Sequence, residues 1–391
     1  MSIQKIYLDH AATTPARQEV VEAMLPYFTE DYGNPSAVYK FSSITKYDLT
    51  MARTVISDSL GTNGDNIYFT SGGTEADNWA LIGIAEAYQN KGKHIITTKI
   101  EHHAILHTAE YLKERGFEIT YLDVDSDGMV RLDDLKQAIR PDTILISVMF
   151  ANNEIGTIQP IKEIGALAKE QGIIFHTDAV QAYGHIPIDV KELNIDILSA
   201  SGHKLYGPKG IGFLYIRKGI KIRSFIHGGA QERNLRAGTE NVPGIIGFGK
   251  AVELAFADME RKAENLSSLR DYMISRILDA IPYTRLNGHK TERLPNNINV
   301  CFRFVEGEAL LIMLSMRGIY ASSGSACTSG SQEPSHVLMA IGLSQEAAHS
   351  TLRFTLGDST TKEDIDYVVE QLKEVVANLR SMSPLYVDFQ E

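Results

Sequence analysis

Two stretches of this chain set small residues beside groups that can hold a charged ligand. Thr70-Ser71-Gly72-Gly73-Thr74-Glu75-Ala76 joins a strand-like run to a helix-like one. Glycines there let the backbone approach an anion, and the free N–H groups opening the helix point at it. Gly73 and Thr74 are the candidate anion-holding residues, although an ordinary turn capped at Thr74 would read the same way. No GK[ST] follows, so this is no Walker loop, and it is not GxGxxG either. Phe175-His176-Thr177-Asp178-Ala179-Val180-Gln181 ends an apolar run in a carboxylate, where α/β sheets place ligand groups. A buried Asp178 needs a cationic partner. A pyridinium nitrogen would serve, and the pairing would keep it protonated. Capping a helix at Ala179 is the commoner use of such an Asp.

Two more stretches carry nucleophiles. Ser199-Ala200-Ser201-Gly202-His203-Lys204-Leu205-Tyr206-Gly207-Pro208-Lys209-Gly210 follows another apolar run. Lys204 suits a Schiff base with a carbonyl cofactor, with Ser201 and His203 at a phosphate. Lys209 competes, but the small polar residues before Lys204 favour the latter, and most lysines are solvated surface charges. Ser322-Ser323-Gly324-Ser325-Ala326-Cys327-Thr328-Ser329-Gly330-Ser331 is too small and polar for a core strand and reads as a mobile surface loop. An exposed thiol at Cys327 is what reactivity needs. Cys301, inside Ile298-Asn299-Val300-Cys301-Phe302, reads as an inert packed thiol. His103 and His107 have helical metal spacing, but no Cys or carboxylate set joins them, so zinc is not expected. His103 reads better as a flat ring stacking on an aromatic cofactor. Arg353, in an alternating run, suits a two-pronged carboxylate clamp or a structural ion pair.

The elements that must position these groups follow from hydrophobic pattern. Short apolar runs at Ile67–Phe69, Ile95–Thr98, Ile144–Val148, Ile173–Phe175, Ile195–Ser199 and Gly212–Ile216 alternate with helix-like stretches such as Asp77–Gln89, Ala104–Arg115 and Ile161–Gln171. That order predicts an α/β fold with a mostly parallel sheet covered on both faces. A long helical stretch over Ile245–Ala280 then leads to a strand at Ile298–Phe302, a helix at Gly307–Arg317 and a last helix at Lys362–Leu379. These make a second, smaller α+β domain, joined by the first few residues of the chain.

Bulk properties exclude several classes. The 391 residues are 43% apolar, ample for a core, and the net charge is −11. An acidic chain without Lys/Arg runs is not built to hold nucleic acid. Two cysteines cannot staple such a length and fit a reducing, cytoplasmic setting. Neither a signal peptide nor a membrane-length apolar stretch is evident.

Taken in order, the Gly-Gly-Thr turn, the histidine, Asn153, Asp178 with Gln181, His203-Lys204 and the cysteine loop resemble the cysteine desulfurases of nitrogen-fixation and housekeeping iron–sulfur type. These are class-V aminotransferases of the fold-type I, aspartate aminotransferase-like superfamily. The likeness runs from Tyr7-Leu8-Asp9-His10-Ala11-Ala12-Thr13-Thr14-Pro15 to about Thr361. SGHKLYGPKG, SSGSACTSG and Ala230-Gln231-Glu232-Arg233 with Arg236-Ala237-Gly238-Thr239-Glu240-Asn241 are its most specific motifs.

The resemblance implies a pyridoxal 5′-phosphate enzyme that takes sulfur from L-cysteine, leaving L-alanine and a persulfide on Cys327. Lys204 would hold the cofactor covalently, Asp178 its ring nitrogen and Gln181 its ring oxygen. His103 would stack on the ring and move protons. Gly73, Thr74, Ser201 and His203 would hold the phosphate. Thr239 would reach the partner's phosphate in an obligate homodimer. Asn153 and Arg353 would take the substrate carboxylate, with Asn34 in the same pocket. An iron–sulfur scaffold protein or other acceptor would receive the sulfur, with a transient iron–sulfur contact at Cys327 by analogy. The implied domains are 15–258 for the cofactor, and 1–14 with 259–391 for the cysteine loop. Asp358 departs from the pattern, since relatives usually carry a basic residue there. A selenocysteine lyase would differ mainly in substrate, an aminotransferase has no need of Cys327, and a non-catalytic sulfur carrier would be free to lose Lys204.

Overall fold

Runs of four or five residues, each holding at least one isoleucine, form the centre of the molecule, a computed structural model that describes residues 5–323 and 333–386. After a short β1 (Ile6–Tyr7) come β2 (Ile67–Thr70), β3 (His94–Thr98), β4 (Glu118–Leu122), β5 (Thr143–Ser147), β6 (Ile174–Asp178), β7 (Ile197–Ser201) and β8 (Gly212–Ile216). Strands β2 to β8 form one sheet in the order β2-β8-β7-β6-β5-β3-β4. Within it only β8 runs against its neighbours. Every residue of β3, β5, β6, β7 and β8 is buried. That explains why these runs are continuous rather than alternating: helices cover both faces.

The helix Gly73–Tyr88 shows how one face is sealed. Its inward side carries Ala76, Trp79, Ala80, Leu81 and Ile84 at helical spacing, all fully buried. The Trp79 indole N–H donates to Arg223 O at 2.8 Å. Burying each large apolar side chain contributes roughly 1.5–3 kcal/mol.

The later strands are β9 (Thr284–Leu286), β10 (Asn297–Phe302), β11 (Ile319–Tyr320), β12 (Ser322–Ser323) and β13 (Thr351–Thr355). They form an antiparallel sheet, β12-β13-β10-β9, and a parallel pair, β1-β11. The long helices Met259–Ala280 and Lys362–Ser381 cover this part around a separate apolar cluster that includes Ile298, Val300, Phe302 and Phe354. β1 pairs with β11, and Asp9 bridges to Thr355.

Two expected elements differ. The stretch Ile245–Ala280 is two helices, Val242–Phe256 and Met259–Ala280, parted where Asp258 takes φ −150° and ψ 30°. Apolar periodicity continues across the break and hides it. The strand expected at Ile195–Ser199 lies at Ile197–Ser201. Asp196 is drawn out to accept from Phe175 N at 3.0 Å and to pair with Arg217.

Candidate active site

Strands β2, β6 and β7 end on one side of the large sheet, and a cavity of about 290 Å³ opens there. Lys204, Asp178, Gln181, Ser201 and His203 line it from the ends of β6 and β7. Gly73 and Thr74 line it from the turn after β2, and Asn153 and Arg353 from the opposite wall. Lys209 does not line it. The parallel sheet thus delivers residues 73 to 204 to one place, and β13 brings Arg353 from the smaller sheet.

The glycine turn is shaped for an anion. Gly72 has φ 154°, a backbone that side chains disfavour. A Cβ on Gly73 would stand 2.6 Å from Val180 Cγ2. Gly72 caps the helix without a side chain, so it cannot use up the first N–H groups itself. Beside this turn, Ser201 is buried, and the His203 ring meets Thr13 Oγ1 at 3.1 Å.

Asp178 is buried and accepts from Val180 N at 2.9 Å. Burial pushes its carboxyl up to about 6, opposed by that N–H and by the Lys204 ammonium. Lys204 Nζ donates to Ala12 O at 2.8 Å and to Ala11 O, and Gln181 Nε2 donates to Ala11 O at 3.0 Å. The Asp9–Thr14 segment therefore closes the cavity with backbone carbonyls. Thr14 locks it down, donating to His203 O at 2.9 Å and accepting from Tyr206 N at 2.8 Å. Arg353 is 1% exposed, with Nη1 on Asn153 O at 2.9 Å and Nη2 on Asp9 Oδ1 at 2.7 Å. Among the described residues its Nε has no hydrogen-bond partner.

The structure corrects the expectation for His103. The ring on the cavity wall is His102, while His103 lies in a neighbouring depression with His107. His102 is the helix N-cap, extended at φ −63° and ψ 150°, and its Nδ1 accepts from Ala104 N at 3.1 Å. His103 is the first helical residue, and one helical step of about 100° turns its ring away. Burial first, then the Lys204 charge, hold His102 down to about 4, so it is neutral.

Other expected residues also lie elsewhere. Asn34 is exposed, and its Oδ1 accepts from Ser36 N at 2.9 Å. Thr239 is exposed and lines a separate depression of about 220 Å³ with Arg236 and Gly238. Cys327 lies outside the described residues, but the chain on either side is anchored beside the cavity. Ser322 pairs with Arg353 across β12 and β13, and His336 Nε2 meets Glu101 O at 2.9 Å. Cys301 is buried, its Sγ 3.3 Å from Ala347 O, and burial pushes its thiol up. Among the described residues no three side chains gather as a metal site, and no helix is long and apolar enough to cross a membrane.

Asp77 went unremarked in the sequence. It is fully buried and lines the same cavity. Its signal is a carboxylate on the apolar face of the helix beginning at Gly73. Burial, then Asp178, push its carboxyl up. Ala11 and Ala12 act through backbone oxygens, for which residue type is no guide.

The donor set fits pyridoxal 5′-phosphate. An amine and a buried acid seeking a cation share a cavity with an anion-ready helix start, and among the described residues Asp77 Oδ1 has no hydrogen-bond partner.

The class-V aminotransferase family matches residues 6–368. A protein of Methanosarcina thermophila called cysteine desulfurase IscS is 62% identical over 97% of this chain and 94% of its own length. One of the same name from Clostridium botulinum is 57% identical over 99% and 98%. Among solved structures, a NifS-like protein superposes with a TM-score of 0.91 at 38% identity, over 96% of this chain and 100% of that one. Another, titled SspA in complex with cysteine, gives 0.80 at 38% identity over 90% and 99%. Set beside the shared cavity of Lys204 and Asp178, these likenesses place the chain in the class-V aminotransferases, among the pyridoxal phosphate-dependent cysteine desulfurases.

Proposed function

We propose that this cavity removes sulfur from L-cysteine and passes it to Cys327, with the roles assigned as follows. Lys204 carries the cofactor, Asp178 pairs with its ring nitrogen and Gln181 with its ring oxygen. Gly73, Thr74, Ser201 and His203 hold its phosphate. Bound there, pyridoxal 5′-phosphate supplies an electron sink for bond breaking at the substrate's α-carbon. Asn153 and the Arg353 guanidinium orient the substrate carboxylate, with Asp9 keeping the guanidinium in place. Lys204 Nζ takes the α-proton once free. His102, rather than His103, presents an exchangeable proton at Nε2. The Cys327 thiolate attacks the substrate sulfur, since a thiol is the poorer nucleophile. An S–S bond forms as the C–S bond breaks, and a proton completes L-alanine. Cysteine plus thiol gives alanine plus persulfide, with no outside oxidant.

The observation that carries this reading is the meeting of Lys204, Asp178 and the glycine turn in one cavity. Anchorage of both flanks of 324–332 beside it supports the role of Cys327. A homodimer completes the site, with Thr239 serving the partner's phosphate. Its support is a run of exposed apolar side chains, including Leu25, Phe28, Tyr32, Tyr39 and Tyr47, too large to leave in water. The chain divides into 15–258 around the cofactor and 1–14 with 259–391 around Arg353 and Cys327. An iron–sulfur scaffold protein in the cytoplasm is the fitting acceptor. The test is Lys204→Ala, which should abolish both alanine formation and the yellow absorbance of the bound cofactor. Unchanged absorbance would mean that another lysine is used.

A further inference from the structure

The loop ending in Thr239 has a costly backbone. Glu232, Arg233 and Asn234 are consecutive non-glycine residues at φ 44°, 56° and 65°. Such residues visit the left-handed region singly, not in runs. The strain persists only where surroundings over-determine it. Here they do. Buried Glu232 accepts from both guanidinium arms of Arg53, at 2.7 and 2.8 Å, and from Phe69 N at 2.9 Å. Arg233 donates to Ile67 O at 2.6 Å, its guanidinium 4.0 Å from the Tyr68 ring centre.

The arm is tied a second time, to the glycine turn. Arg236 donates Nε to Glu75 Oε1 at 2.8 Å and Nη2 to Glu75 Oε2 at 3.0 Å. Glu75 directly follows Thr74, and its Oε2 also accepts from Ser71 N at 2.8 Å. One two-pronged, part-buried ion pair thus spans the turn and the arm. Thr239, three residues further on, is exposed and has no place in its own chain's Lys204 cavity.

We propose that the Glu75–Arg236 ion pair couples the two cofactor sites of the dimer, by fixing each subunit's own glycine turn to the arm it extends to the partner's site. This rests on the dimer and on Thr239 acting across it. A phosphate seated on the Gly73 and Thr74 N–H groups restrains Glu75, and Glu75 restrains Arg236. Filling one site thereby steadies the exposed Gly238–Thr239 tip that lies beyond these ties and faces the other site, so the second cofactor meets a smaller ordering cost. Loading is positively cooperative.

The test removes cofactor from the purified dimer and titrates pyridoxal 5′-phosphate back, following Trp79 fluorescence and cofactor absorbance. The parent should saturate cooperatively, the second equivalent binding at least about 5-fold more tightly than the first. Glu75→Gln with Arg236→Met, which deletes the pair without stranding a charge, should saturate without cooperativity at the weaker affinity. Its dimer mass by light scattering should be unchanged. Arg236→Lys keeps the charge but gives up the two-pronged contact, and should also lose the steepness. Non-cooperative loading by the parent overturns the coupling, as do variants as steep as the parent. Thr239→Ala separates the two ideas. Unchanged affinity in that variant defeats the reading of Thr239 itself. Weakened loading there, beside parental behaviour of the ion-pair variants, leaves that reading standing and removes the coupling alone.

Discussion

Replacing His102 with asparagine should slow alanine formation by about 10²- to 10⁴-fold, the usual contribution of a positioned acid–base group. The same change at His103 should leave the rate near the parent's. Adjacent identical residues differ here because a helix starts between them. His102 keeps an extended backbone and faces the cavity, whereas the His103 ring sits 4.9 Å from the rings of both His107 and His336. With Nδ1 of neutral His102 accepting from Ala104 N, the exchangeable proton belongs on Nε2. Losing the cap would cost about 1 kcal/mol of stability. Asparagine is itself a good cap, so thermal melting should barely move and any rate loss is chemical. The assay is alanine release by holoenzyme under saturating cysteine, with cofactor absorbance as the loading control. A fully loaded His102→Asn enzyme at the parent rate, or a His103→Asn enzyme that fails, would refute the reasoning.

Other outcomes follow from the same structure. Burial pushes Glu101 from 4.5 up to about 8, so its ionisation in the folded chain costs roughly 5 kcal/mol. That penalty is absent below pH 4.5, grows up to about 8 and is complete above it. Glu101→Gln keeps the acceptor for Met149 N and Thr98 Oγ1, so it should stabilise the protein more at pH 9 than at pH 6 in urea unfolding. An equal gain at both would contradict the burial argument. Cys301→Ala should cost about 1 kcal/mol in the same assay and leave desulfuration intact, and lost activity would give that thiol a role it is not assigned. Asp358→Ala should cost no more than about 1 kcal/mol, because its pair with Arg17 is part-exposed. A larger loss would show that the acid carries more than this contact.

Much of the large sheet was legible because buried parallel strands are unbroken apolar runs, and their ends carry the chemistry. Asp178, Ser201, His203 and Lys204 followed directly from that rule. Asp358 departs from the family pattern, yet it finds a cation in Arg17, which no local pattern announces. His102 was hidden by its twin. The deciding fact was where the helix begins, and sequence boundaries are uncertain by more than one residue. Ala11 and Ala12 could not be found by residue type, since their carbonyls do the binding. Asp77 could have been found as an acid on an apolar helical face. Asn34 and Thr239 are exposed and lie outside the cavity, and no sequence pattern gave their depth.

Mass analysis of holoenzyme given one equivalent of L-cysteine, then digested under non-reducing conditions, bears most directly on the sulfur route. The peptide containing Cys327 should gain the mass of one sulfur atom as one equivalent of alanine appears. Alanine formed with that peptide unchanged, or with the sulfur on Cys301, would contradict it.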